Sequence, residues 1–91
     1  MEVTILLGSS SDMPIAEKCT KILKQFSVEY QLRVASAHRS PKFVEQIIHD
    51  AEADGCMVFI AMAGLAAALP GAVAALTTKP VIGVPCGGRV P

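Results

Sequence analysis

Val3-Thr4-Ile5-Leu6-Leu7-Gly8-Ser9-Ser10-Ser11-Asp12 is the stretch that decides the fold. Residues 3–7 form a short, nearly all-apolar run that stops at a glycine, the pattern of a strand covered on both faces, so helices are expected on either side. Downstream, Ile15, Cys19, Ile22, Leu23 and Phe26 recur at helical spacing over residues 14–26, with Pro14 in the first turn and Ser11 or Asp12 placed to cap it. Residues 28–35 return to strand character through Val28, Tyr30, Leu32 and Val34. Ser40-Pro41 then supplies an N-cap and a first-turn proline for a second helix, with Val44, Ile47, Ile48 and Ala51 as its buried stripe. Cys56 to Ala63 reads as a third strand, Ala66 to Leu76 as a third helix, and Val81 to Val84 as a fourth strand introduced by Lys79-Pro80. The order is β-α-β-α-β-α-β, which predicts right-handed crossovers and a parallel sheet between two helical layers. In such a three-layer α/β/α fold the ligand site lies beyond the carboxyl ends of the strands, where the strand order reverses. That rule selects residues 8–12, 35–40, 63–69 and 85–90.

The composition bounds the function. With 91 residues the chain is a single domain, and its 8 Lys+Arg and 8 Asp+Glu cancel. Zero net charge removes the broad basic footprint of a general nucleic-acid binder. The three cysteines form no C-x-x-C pair and 52% of residues are hydrophobic, so neither a disulfide-stapled scaffold nor intrinsic disorder fits, and a reducing cytoplasm is expected. Met1-Glu2-Val3 has no signal-peptide character. All eight acids lie within residues 1–54, and residues 55–78 carry no charge, which is long enough for a membrane span. Gly64, Pro70 and Gly71 punctuate that run, and alanine fills eight of positions 61–75, so a buried strand followed by a small-residue helix is the better reading.

Four loops carry the candidate chemistry. Gly8 to Asp12 brings hydroxyls and backbone N–H groups to a helix N-terminus, where a phosphate would fit; equally, Gly8 makes the turn and Ser11 and Asp12 only cap the helix. Neither a G-x-G-x-x-G nor a P-loop pattern occurs. In Ala35 to Ser40, His38 stands at a strand's carboxyl end beside Arg39, a residue suited to bidentate phosphate contact, which points to a proton shuttle rather than a structural histidine. His49, late in the second helix, is explained by the helix C-terminus. Cys86 has no histidine clearly placed as its base and reads as a small buried residue, while Cys19 and Cys56 look like core. No metal-ligand spacing is present, so no zinc site is expected.

The segments GSSSD, SAHRSP, AGLAAALPG and KPVIGVP, in this order and at these separations, resemble the N5-carboxyaminoimidazole ribonucleotide mutase family of purine biosynthesis, also called the aminoimidazole ribonucleotide carboxylase catalytic subunit. The likeness runs from the first strand to Pro91. SAHR followed by a proline looks like the mutase class; the class using free CO2 typically has lysine in place of Arg39. The resemblance implies a flavodoxin-like strand order of 2-1-3-4, a homo-octamer, and no metal, biotin or ATP in this step. It also implies the reaction: the carboxylate moves from the exocyclic nitrogen to the imidazole C4 by decarboxylation to trapped CO2 and recapture. Carried over, Ser9, Ser11, Ser36 and Arg39 would hold the phosphate and neighbouring groups, Asp12 the ribose hydroxyls, and His38 would move the proton. Gly64, Leu69 and Pro70 would belong to the loop over the base and CO2.

Two departures from the family pattern stand out. The mutase loop usually reads AAHLPG, and Ala68 occupies the histidine position here. The chain also stops before the family's fifth strand and C-terminal helices, so residues 1–91 are expected to be an incomplete mutase-type domain. Two other functions remain open on the sequence: a non-catalytic nucleotide-phosphate binding module or pseudoenzyme, and carboxylation of another heteroaromatic nucleotide of nicotinate type.

Overall fold

The computed structural model describes residues 1–37, 39–64 and 68–86. Strands β1 (Val3–Leu7), β2 (Tyr30–Val34), β3 (Val58–Ala63) and β4 (Val81–Pro85) alternate with helices α1 (Met13–Gln25), α2 (Pro41–Ala53) and α3 (Ala68–Ala74). The sheet is fully parallel with order β2-β1-β3-β4, as the alternating pattern and the family resemblance both predict. All five residues of β1 are buried, as expected for a strand covered on both faces.

Two apolar clusters sandwich the sheet. On one face Leu6, Phe59 and Ala61 meet the whole predicted α2 stripe, Val44, Ile47, Ile48 and Ala51, together with Leu69 and Val73 of α3. On the other, Val3, Ile5, Leu7, Ile60 and Met62 pack beneath α1. The buried Thr4 hydroxyl accepts a hydrogen bond from Gln31 Nε2 on β2 at 3.0 Å. Among the described residues, no buried side-chain nitrogen or oxygen lacks a partner, and no helix is long and apolar enough to cross a membrane.

Helix α1 differs from its sequence reading. Its inward line runs through Ala16 and Thr20, with Ile15, Cys19 and Leu23 half-buried, whereas Ile22 is 54% and Phe26 74% exposed. At 100° per residue the apolar stripe and the buried stripe are offset by roughly 95°. The small residues lie innermost, so α1 meets the sheet on its alanine and threonine line rather than on its bulkiest side chains.

The strands β2 and β3 each begin two residues later than their apolar runs suggest, for one reason. Val28 N–H donates to Leu23 O at 2.9 Å and Ser27 N–H to Lys24 O at 3.1 Å, the paired bonds of a Schellman closure on α1. Cys56 N–H to Ala51 O and Gly55 N–H to Glu52 O repeat it on α2, at 2.9 and 3.1 Å. The first residues of each apolar run are thus consumed in ending the preceding helix. The left-handed position is Gly55 (φ 88°) in one closure and Ser27 (φ 58°) in the other. Helix α3 ends at Ala74, two residues before the predicted Leu76, and Leu65 to Ala67 lie outside the described residues. Its Pro70 ring lies close over β4: a Cβ on Gly83 would sit 3.2 Å from Pro70 Cβ and 3.3 Å from Cγ.

Two stability tests follow from these contacts. Ser27→Gly removes a left-handed strain of about 1–2 kcal/mol, partly offset by unfolded-chain entropy, and is expected to raise the urea midpoint at unchanged slope, whereas Gly55→Ser lowers it. Gly83→Val drives a branched side chain into a rigid ring and is expected to cost about 1–3 kcal/mol in the same measurement.

Candidate functional site

The parallel register brings the carboxyl ends of β1 and β2 side by side, with Leu7 opposite Val34. Beyond them opens a cavity of about 560 Å³ lined by Gly8, Ser9, Ser10, Val34, Ala35, Ser36, Arg39, Ser40 and Phe43. A volume of this order suits a small-molecule ligand. It lies on the β2 side of β1, next to the crevice between β1 and β3 where the strand order reverses.

The first wall is the β1–α1 loop. Between strand and helix the chain makes a 3-10 turn over Ser10–Asp12, so the capping hydroxyl is Ser9, which accepts from Ser11 N–H at 3.2 Å. Ser11 is taken up in that turn, while Asp12 stands at the N-cap of α1, as expected, but without a side-chain capping bond. The Ser9 and Ser11 hydroxyls lie 2.9 Å apart. One of their two protons joins them, which leaves the other to donate to a ligand.

The second wall is the β2–α2 loop. Ser36 Oγ accepts from Arg39 N–H at 3.3 Å, and Ser40 N–H donates to Ser36 O at 2.9 Å, so the loop folds back on Ser36. Ser40 precedes α2 without a side-chain capping bond among the described residues. Its helix N-terminus faces the site end of the sheet, which favours an anion. Arg39 is exposed, and the ion pairs among the described residues, Met1–Asp54 and His49–Asp50, leave its guanidinium available. Among the described residues no carboxylate lines the cavity. Hydroxyl donors, one guanidinium and a helix N-terminus together make a site for an anionic group.

Of the sequence candidates, Ser9, Ser36 and Arg39 line this cavity, and Ser11 joins it through Ser9. Asp12, at the end of the same β1–α1 loop, is not among the lining residues, and its charge reaches Cys86. Burial first, and then the Asp12 carboxylate, push the Cys86 thiol up, so it stays protonated near neutral pH. Cys86 is buried, as the sequence suggests, and Arg89 beside it falls outside the described residues. His38 also lies outside the described residues. Gly64 is exposed just after β3, Leu69 is buried in the core, and Pro70 rests over Gly83; none of the three lines the cavity. His49 is exposed, with Nδ1 3.8 Å from Asp50 Oδ1. Sequence reading missed Phe43 and Val34 as lining residues, because each looks like an ordinary apolar position of its helix or strand.

Comparison with known proteins agrees with this geometry. The N5-carboxyaminoimidazole ribonucleotide mutase of Methanocaldococcus jannaschii is 58% identical over 88 residues, covering 97% of this chain and 54% of that protein. The mutase of Saccharolobus solfataricus is 50% identical over 84 residues, covering 92% of this chain and 53% of that protein. The chain thus spans about half the length of these relatives, and 26% of a probable mutase from Methanobrevibacter smithii. The crystal structure of Treponema denticola PurE superposes with a TM-score of 0.87 at 40% identity, over 91% of this chain and 53% of that one. With a flavodoxin-like order of strands, an anion cavity beyond the carboxyl ends of β1 and β2 and the AIR carboxylase family matching residues 2–90, the chain belongs to that family.

Proposed function

We propose that the chain carries the nucleotide-binding and proton-transfer part of an N5-carboxyaminoimidazole ribonucleotide mutase acting in purine biosynthesis in the cytoplasm. The observation that carries this reading is a cavity built jointly by the GSSSD and SAHRSP loops, without a carboxylate among its described lining residues. The names of the relatives supply the reaction.

In this reading Ser9, Ser11, Ser36 and Arg39 hold the substrate's phosphate by charge-assisted hydrogen bonds, and Asp12 takes the ribose hydroxyls. The ring is thereby fixed with its exocyclic nitrogen and C4 toward the β3 loop. The N–CO2 bond breaks to give CO2 and the aminoimidazole, and C4 attacks the same CO2 with its enamine electron pair. His38 donates a proton to the nitrogen and accepts the one that leaves C4, so the step is balanced without a cofactor. Gly64 opens the loop over the base and CO2, while Leu69 in the core and Pro70 over Gly83 anchor its far end. A loop of small apolar residues keeps water from competing for the intermediate. The working protein is a homo-oligomer, an octamer by resemblance to the full-length family.

Ala68 supports a second reading, in which the chain binds the ribonucleotide but does not turn it over. Interconversion of the two carboxylated ribonucleotides separates them. His38→Asn is expected to lower turnover by about 10²–10⁴-fold while nucleotide binding stays. Arg39→Ala is expected to weaken nucleotide binding by roughly 10- to 100-fold. Nucleotide binding with no turnover, in both the natural chain and Ala68→His, would reject the catalytic reading and leave a binding module.

A further inference from the structure

Large apolar side chains are exposed at eight positions among the described residues, and two of them, Val34 (41%) and Phe43 (44%), line the anion cavity. Phe43 lies in the first turn of α2, where a half-exposed ring gains little from the core. It has a different partner: Arg33 Cζ, from β2, lies 5.6 Å from the ring centroid, within cation–π range. Arg33 pairs with Leu6 in the sheet register, so its backbone is fixed by the ladder, and its guanidinium lies over the ring. The cavity is therefore two-sided, with serine hydroxyls and Arg39 supplying the polar lining and Val34 and Phe43 the apolar lining.

We propose that Phe43 is a positioning residue for the substrate's phosphate, held in place by Arg33. This rests on the reading that the cavity takes that phosphate. The ring excludes water and salt ions from the Arg39–phosphate contact, and the lower local dielectric strengthens it. The same exclusion weakens ionic screening of the contact, so affinity holds as salt rises.

Calorimetric titration of the chain with ribose 5-phosphate, at low and high salt, tests the proposal. Phe43→Ala is expected to bind about tenfold more weakly and to lose more affinity than the natural chain as salt rises. Phe43→Leu, which keeps an apolar wall, restores most of the affinity and the flatter salt response. Arg33→Met, which frees the ring, weakens binding by about two- to fivefold, and adding it to Phe43→Ala costs nothing further. Unchanged affinity and salt response in Phe43→Ala, while Arg39→Ala still weakens binding, would overturn the proposal and leave the phosphate cavity standing. Binding insensitive to both Arg39→Ala and Phe43→Ala would instead reject the cavity reading itself, and the proposal with it.

Discussion

Everything at the site end of this fold depends on hydrogen bonding of β1 to two parallel neighbours at once. Val3 is opposite Tyr30 on one side and Val58 on the other, and the register holds to Leu7. The ladder then runs one residue past the strands: Gly8 N–H donates to Met62 O at 2.9 Å, Ala35 N–H to Leu7 O at 2.8 Å, and Cys86 N–H to Ala63 O at 2.7 Å. These three donors are the opening residues of three loops. Each loop therefore leaves the sheet from a position set by backbone hydrogen bonds rather than by its own packing. Serines on separate segments can then share one ligand, because their starting points cannot drift relative to one another.

The opposite end of the sheet also carries ladder bonds past the strands, Met57 N–H to Glu2 O at 2.9 Å among them, and adds a second device. There the helices stop in Schellman closures, and Val28 and Cys56 are spoken for by Leu23 and Ala51 before a strand can claim them. Ladder extension marks both edges, and helix termination limits the far one as well. Strand length is what remains between the two.

This division explains what the sequence revealed. Element order, sheet direction and the α2 stripe were legible because Val44, Ile47, Ile48 and Ala51 recur at helical spacing and are also the buried residues of that helix. The α1 orientation was not, since Ala16 and Thr20 carry little hydrophobic signal and win by being small enough to let the helix approach. Ser9 as the capping residue was hidden by a 3-10 turn that no periodicity announces. The polar half of the cavity was legible from Ser9, Ser36 and Arg39, whose types match anion chemistry. The apolar half was not: Arg33 and Phe43 are ten positions apart on different elements, and their meeting is a tertiary fact.

The Thr4–Gln31 hydrogen bond has a consequence for assembly of the sheet. Thr4 is fully buried, and its hydroxyl meets Gln31 in the register that pairs the two residues directly. Slide β2 by one residue and its side chains change faces, which withdraws Gln31 and leaves a polar group stranded in the core at a cost of about 1–3 kcal/mol. Val3 to Leu7 is otherwise so uniformly greasy that misaligned pairings would look nearly alike to it. The lone hydroxyl works as a key in that lock, rejecting wrong alignments while the sheet is still forming.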